Sequence, residues 1–423
     1  AKAQYYSAKG AFDPNFRAQY LTSPQGSYVN RYWDTEISVP TPYLGTRFFT
    51  EYRNGRGEFP EYDGNLLTNS IGEVSAGVDF PLLRNLKIDN SRAKLKQANL
   101  NILLQQQSLI ITKLEAIKDA GYAYWEWVGA GKRVMLSKSL LNLAIIRQSA
   151  LQKRYQEGDA AQIELVENQR FIIDRRTALI GALRDFQRAS FLLSLFYRDL
   201  QGNPIIPSAN LIPENVPSIP TKNLRSPNLV YSSHSIIDKH PILQRIESQK
   251  QISLIDLALA KNSLLPQLNT KFYAEKDYGN GQERLNETSL DVDVRLEVPL
   301  LLRQAKGDIR AAQKNLEQIE IQQQFSHDKL NIALQDSLNQ LELSRQQVFL
   351  TKQEVLLASQ VEKAEIIRFN EGDSNLFLVN QREQSTFDSK LKQISATINF
   401  FKSKIDLAVA CGMEKNCLAQ VGY

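Results

Sequence analysis

The sequence predicts a mixed, mainly α fold, built twice over, in which long antiparallel helices line a helical barrel and β-hairpins contribute to a transmembrane β-barrel. Three observations predict it: an internal duplication, strands with one apolar and one charged face, and helices far longer than a globular core requires.

The duplication comes first. Ala8-Lys9-Gly10-Ala11-Phe12-Asp13-Pro14 aligns with Ala260-Lys261-Asn262-Ser263-Leu264-Leu265-Pro266 at an offset of 252, and Phe80-Pro81-Leu82-Leu83 with Val298-Pro299-Leu300-Leu301 at 218. Arg154-Tyr155-Gln156-Glu157-Gly158-Asp159 then matches Arg368-Phe369-Asn370-Glu371-Gly372-Asp373 at 214. A repeat of this length is a duplicated half-protein, since solenoid units run about 20–50 residues. The chain accordingly divides into a first repeat (1–200), a Pro-rich linker (201–227), a second repeat (228–412) and a tail (413–423).

In the first repeat a hairpin occupies 12–83 and helices 88–155 and 160–198. Val74, Ala76, Val78 and Phe80 alternate with Glu73, Ser75, Gly77 and Asp79, the period of two that puts alternate residues on opposite faces of a strand. Pro14 and Pro81 lie 67 residues apart, whereas Pro266 and Pro299 lie 33 apart. The extra material, about Tyr28 to Tyr62, carries Tyr32, Trp33, Tyr43, Phe48, Phe49, Tyr52 and Phe59 among glycines and prolines, and reads as an elaborated outer loop. Its aromatics fit a headgroup-level girdle or a loop packed on itself; both readings stay open. Gly121, Gly129 and Gly131 weaken the first long helix.

The linker places prolines at 204, 207, 213, 217, 220 and 227, which rules out a continuous helix and predicts an extended strap. The second repeat opens with a helix over 228–263. Nothing comparable precedes Asp13, which predicts a matching helix ahead of Ala1 in the gene product. A hairpin over 266–299 follows. Leu290, Val292, Val294, Leu296 and Val298 alternate with Asp291, Asp293, Arg295 and Glu297, so one face is wholly apolar and the other wholly charged. Lipid on one side and a watery lumen on the other suit this pattern; an amphipathic strand of a soluble sheet is the alternative.

Helices over 303–369 and 373–411 complete the repeat. At 1.5 Å per residue the first is roughly 100 Å long, about three times a bilayer's hydrocarbon core. Along it Leu334, Leu341, Val348 and Val355 recur every seven, and so do Leu343, Leu350, Leu357 and Ala364. The second stripe is nine residues on from the first, about half a turn away. Two opposed seams predict a neighbour on each flank, as in the wall of a hollow cylinder, rather than an ordinary bundle. Each long helix ends aromatic-x-x-Gly, a signature for a tight left-handed stop, with Asp159, or Asp373 and Ser374, available to cap the return helix.

Composition excludes several functions. No apolar run reaches the ~18–20 residues of a spanning helix. Fifty-one basic and 46 acidic residues are spread along the chain, too diffuse for a nucleic-acid footprint. Gly129-Ala130-Gly131-Lys132 lacks the remaining glycine and the hydroxyl residue of a phosphate loop. No nucleophile elbow or zinc-protease motif occurs, and His234, His240 and His327 stand too far apart for a metal set. No catalytic residue, cofactor or metal is predicted. Cys411 and Cys417, six apart, suit a disulfide-closed loop or two free thiols.

Strand-strand-helix-helix repeated twice, a Pro-Leu-Leu exit from the second strand and an aromatic-x-x-Gly tip together resemble the TolC family of outer-membrane channel proteins. The resemblance covers nearly the whole chain apart from the absent first helix and the long first hairpin. It implies a homotrimer whose copies share one β-barrel in the outer-membrane lipid of a Gram-negative bacterium and one helical tunnel through the periplasm. Its function would be the passive exit duct of a tripartite efflux pump or type I secretion system, served by a periplasmic adaptor protein and an inner-membrane transporter that meets the tips. Tyr155, Gly158, Phe369, Gly372 and Asp373 are the tip residues so implied. In the family the second tip carries acids six and nine positions after its glycine; here Leu378 and Gln381 stand there, while Glu164 and Glu167 hold those places in the first. That departure shifts any constriction of the entrance to Leu378 or Phe377, and leaves the tip acids readable as solvated carboxylates at helix ends. Asp291, Asp293, Arg295 and Glu297 would face the barrel lumen. The competing expectation is a soluble or periplasmic coiled-coil scaffold.

Overall fold

A computed structural model describes residues 1–61, 66–220 and 237–413. The chain forms two compact units, one of Ala1–Leu109 with Ile242–Ser326 and one of Ile110–Pro241 with His327–Tyr423. The elements are α1 (Lys2–Lys9), β1 (Asn15–Ser23), β2 (Asn30–Pro40), β3 (Arg47–Gly57), β4 (Gly72–Pro81), α2 (Asn90–Gln156), α3 (Gln162–Ser194), α4 (Pro241–Asn262), β5 (Gln267–Tyr278), β6 (Ser289–Glu297), α5 (Arg303–Asn370) and α6 (Leu376–Ala410). The fold is mainly helical with one antiparallel sheet.

Among the described residues six strands of the first unit form that sheet, and their spatial order is their sequence order. The segment expected to be an outer loop is instead largely β2 and β3, two strands of 11 residues paired from Asn30↔Gly57 to Pro40↔Arg47. The physical reason is period two carried through the aromatics: Trp33, Thr35, Ile37 and Val39 share one face, and Asp34, Glu36 and Ser38 the other. Phe48, Thr50 and Tyr52 alternate with Arg47, Glu51 and Arg53 in the same way. The hairpin over 12–83 is therefore four strands; Tyr62 lies outside the described residues.

Asp89 opens the first long helix, its carboxylate accepting the Arg92 N–H at 2.8 Å and the Arg92 guanidinium at 2.7 Å. The helix α2 then runs 67 residues without interruption, glycines included. Within the second unit those glycines are points of close approach: a Cβ on Gly129 would stand 1.9 Å from Ile398 Cδ1, and one on Gly121 2.5 Å from Ile405 Cδ1. Tertiary packing overrides their low helix propensity. Trp127, Val128, Ala130, Ala189, Leu193 and Ile212 form a buried cluster here, so the strap's Ile212 joins the helical core. Lys132 Nζ also donates to the Glu214 carbonyl at 2.7 Å.

Other boundaries moved for local reasons. The return helix α3 stops at Ser194, and Arg198 pairs with Pro204 in a β-bridge. The helix expected over 228–263 breaks at His240, and α4 starts at Pro241, where proline's fixed φ and missing N–H suit a first helical position; 221–236 lie outside the described residues. The last helix, α6, starts at Leu376 because Asn375 is its cap, Oδ1 accepting the Leu378 N–H at 3.0 Å. Neither Asp159 nor Asp373 caps the following helix: α3 begins after Ala161 with no side-chain cap, and Ser374 donates to Glu365 Oε1 instead. Cys411 is disulfide-bonded, and Cys417 lies outside the described residues. Among the described residues no helix is long and apolar enough to cross a membrane.

Candidate functional site

The sheet is built from strands of 9 to 12 residues, close to the ~9–11 that a tilted transmembrane strand needs. Its register keeps one face continuous across all six. Phe16 lies opposite Ile37, Val39 opposite Phe48, Phe48 opposite Val78, Val78 opposite Phe272 and Phe272 opposite Val292. All of them but the half-buried Val78 are exposed: Phe16 is 70% exposed, Phe48 54% and Val292 59%, and Leu290 on the same face 83%. Nothing among the described residues covers them. Among the described residues the only charged residues of this face within the paired strands are Arg31, Arg56 and Lys276, each near the end of its own strand that lies away from the helices. Tyr52 shares the row of Lys276 through Val74, and Tyr20, Trp33 and Tyr278 lie in the neighbouring rows, with Trp33 and Tyr52 edge to face at 5.9 Å. Of the aromatics assigned to the loop, Trp33, Phe48 and Tyr52 thus face outward in bands, as a girdle requires, whereas Tyr32 and Phe49 point to the other side.

The opposite face is charged and cross-linked. Arg17 Nη2 donates to Asp34 Oδ2 at 3.3 Å, Arg47 Nη1 to Glu36 Oε1 at 2.8 Å and Arg47 Nε to Asp79 Oδ2 at 2.8 Å. Arg53 pairs with Glu73 and lies 3.9 Å from Glu275. Asp291, Asp293, Arg295 and Glu297 stand on this face of β6, as their spacing predicts. Acids outnumber bases two to one across it: Asp34, Glu36, Glu51, Glu73, Asp79, Glu275, Asp277, Asp291, Asp293 and Glu297 against Arg17, Arg47, Arg53, Lys271 and Arg295.

The second unit holds the tips. Gly158 (φ +84°) and Gly372 (φ +87°) adopt the left-handed conformation. At the first, Gly158 N–H donates to the Tyr155 carbonyl at 3.1 Å and Asp159 N–H to that of Arg154 at 2.8 Å. At the second, Gly372 N–H donates to the Phe369 carbonyl at 3.2 Å and Asp373 N–H to that of Arg368 at 2.9 Å. This paired arrangement closes a helix and frees the chain to reverse. Both tips are the same device, and Arg154 sits 5.8 Å from the centre of the Phe369 ring, joining them. Tyr155, Phe377 and Gln381 are exposed; Glu164, Glu167, Phe369 and Leu378 are half-buried. Among the described residues no hydrogen bond or ion pair joins Glu164 or Glu167 to Phe377, Leu378 or Gln381.

Behind the tips lies a polar knot that sequence reasoning missed. Glu383 on α6 is buried; Arg175 Nη2 donates to its Oε2 at 2.8 Å, Arg147 Nη1 donates to the same atom at 3.1 Å, and Arg147 Nη2 bonds Oε1. Arg147 Nη1 also donates to Asn380 Oδ1 at 2.8 Å, and Arg175 Nη1 to the Leu140 carbonyl at 3.0 Å. No spacing rule links residues 236 apart; the signal was only a carboxylate and an amide at i, i+3 on an apolar face.

The two seams of α5 have different fates. Leu334, Leu341 and Val348 are buried within the chain, whereas Leu343 is 51%, Leu350 65% and Leu357 60% exposed. Along α3, Val166, Ile173 and Ile180, also seven apart, are 56%, 54% and 68% exposed. A second apolar stripe therefore stands open on each hairpin.

Among the described residues no group of histidine, cysteine and carboxylate side chains is arranged to hold a metal. No family model and no curated protein matches the sequence. Solved structures do. The outer membrane protein VceC of Vibrio cholerae superposes with a TM-score of 0.66 at 13% identity, over 97% of this chain and 91% of that one. The CmeC outer membrane channel of Campylobacter jejuni gives 0.64 at 13%, over 100% and 84%. The open-state MtrE outer membrane channel of Neisseria gonorrhoeae gives 0.65 at 12%, over 97% and 83%. The chain has the fold of these TolC-like channels.

Proposed function

We propose, from the fold shared with outer-membrane channels and from the sheet's two faces, that this chain is a passive exit duct in the outer membrane of a Gram-negative bacterium. Three copies share one β-barrel and one helical tunnel, and substrates leave through it from an inner-membrane transporter linked by a periplasmic adaptor, in a tripartite efflux pump or a type I secretion system. The single observation that carries the reading is the uncovered apolar face running unbroken over six strands, with an ion-paired face behind it. In water such a surface drives aggregation; in a bilayer it is the lipid contact, with closed strands satisfying every backbone polar group. The open stripes on α3 and α5 support the tunnel, because a helix flanked on one side only needs a neighbouring copy on the other. Tip residues Tyr155, Gly158, Phe369, Gly372 and Asp373 are the proposed adaptor contacts, Glu164 and Glu167 flank them, and Phe377, Leu378 and Gln381 border the entrance.

Chemistry is no part of this role. Selectivity comes from pore width and wall charge. A soluble coiled-coil scaffold, the competing class, has no use for a sheet with a lipid-like face. Fractionation tests the choice: the chain should remain with outer membranes until detergent releases it, and the purified protein should form ohmic pores in planar bilayers. Release in the soluble periplasmic fraction together with absence of conductance favours the scaffold.

A further inference from the structure

The sheet of a single copy cannot close. Six strands are fewer than the eight of the smallest single-chain membrane barrels, and among the described residues neither β1 nor β6 has a strand on its outer edge. Unpaired backbone N–H and C=O groups at a lipid-facing edge are too costly to persist in a bilayer. We infer that β1 of one copy pairs with β6 of the next, and that three copies close a ring of eighteen strands, not the twelve that two plain hairpins per copy would build.

Four observations carry this, given the trimeric duct proposed above. The edges match in length, since β1 and β6 are nine residues each. They match in direction: six alternating antiparallel strands leave β1 and β6 running oppositely, so neighbouring copies meet antiparallel like every other pair in the sheet. They match in face, because Phe16, Ala18 and Tyr20 lie on the same side of the sheet as Leu290, Val292 and Val294. Finally, the β2–β3 hairpin is an integral part of the wall. Arg47 on β3 bonds Glu36 on β2 and Asp79 on β4, while Arg17 on β1 reaches Asp34 and lies 3.6 Å from Glu36. A chain of charges from β1 to β4 passes through the extra strands, which therefore widen the ring instead of hanging outside it.

Barrel diameter grows roughly linearly with strand number, so eighteen strands make a mouth about one and a half times as wide as twelve, in the range that leaves an aqueous channel. The membrane section then admits bulkier cargo than a plain duplicated hairpin would.

The test uses the full chain purified in detergent. Its mass gives the copy number; any number other than three refutes the trimeric duct itself. With three copies, single-particle imaging should resolve eighteen strands, whereas twelve strands with β2–β3 outside the ring overturn the inference and leave the duct standing. As an independent readout, Gln19→Cys combined in turn with Asp291→Cys, Asp293→Cys and Arg295→Cys should yield covalent trimers from at least one same-face pair. Tyr20→Cys, facing the other way, should give none with these partners. Absence of cross-links from every same-face pair in an intact trimer also overturns it.

Discussion

Arg175 on α3 and Glu383 on α6 form a buried ion pair, Nη2 to Oε2 at 2.8 Å, across 208 residues of sequence. With Arg147 on the other side, it ties the first hairpin of helices to the second just behind the tips. A carboxylate held by two guanidiniums is a poor source of net stability compared with apolar packing, but losing one member leaves buried charge uncompensated. Glu383→Ala should therefore destabilise the helical unit by about 3–5 kcal/mol, measured by chemical unfolding in detergent. Glu383→Gln should retain some of the hydrogen bonds and cost less; equal stability of Glu383→Ala and wild type contradicts the assignment.

The charged face of the sheet gives a second expectation. With carboxylates twice as numerous as cations there, the pore should pass cations in preference to anions at low salt, and the preference should fade as ionic strength rises. Reversal potentials across a KCl gradient measure it. Replacing Asp291 and Asp293 together with asparagine should move the reversal potential toward zero; an anion preference in wild type runs against the proposed lumen.

At the tips, Gly158 and Gly372 hold φ near +85° with open space around the missing Cβ. Backbone strain is then the whole cost of a side chain, about 1–3 kcal/mol for each unfavourable residue. Gly158→Val with Gly372→Val should leave folding and membrane insertion intact while weakening export, read as substrate accumulation in cells. Undiminished export in the double variant argues against the tips as the docking point.

One titration is expected in the helical unit. Burial holds the His240 imidazole below its usual pKa of 6.5, partly countered by its contact with the Val409 carbonyl at 3.5 Å. The folded state thus disfavours the imidazolium, and the unfolded chain binds the proton first. Stability is full above pH 6.5 and declines as pH falls from there toward the folded value. Melting temperatures between pH 7.5 and 5 should drop less steeply in His240→Gln than in wild type; parallel slopes refute the contribution.

Much of this architecture was legible because it is written in periodicity. Leu290 to Val298 announced a two-faced strand, since every second residue is charged. The aromatic-x-x-Gly tips announced helix ends because only glycine takes the left-handed turn cheaply. Strands β2 and β3 were missed for an equally physical reason: Tyr32 beside Trp33 and Phe48 beside Phe49 put large aromatics on both faces, masking the alternation of Thr35, Ile37 and Val39 with Asp34, Glu36 and Ser38. The glycines of α2 looked like weak points because propensity is local, whereas their close approach to Ile398 and Ile405 depends on a helix some 270 residues on. The Glu383 knot had no local signature at all. For the seams of α5, the heptads located both stripes, but only the structure separates the one the chain buries itself from the one it leaves open.

The most direct measurement is a polarity-sensitive fluorophore attached in turn to Val292→Cys and Asp293→Cys, adjacent positions on opposite faces of β6, in native outer membranes. The expected result is an apolar, blue-shifted signal quenched by lipid-borne quenchers at 292 and an aqueous signal quenched by iodide at 293. Equal exposure of both positions to iodide, with no lipid quenching at either, contradicts the account.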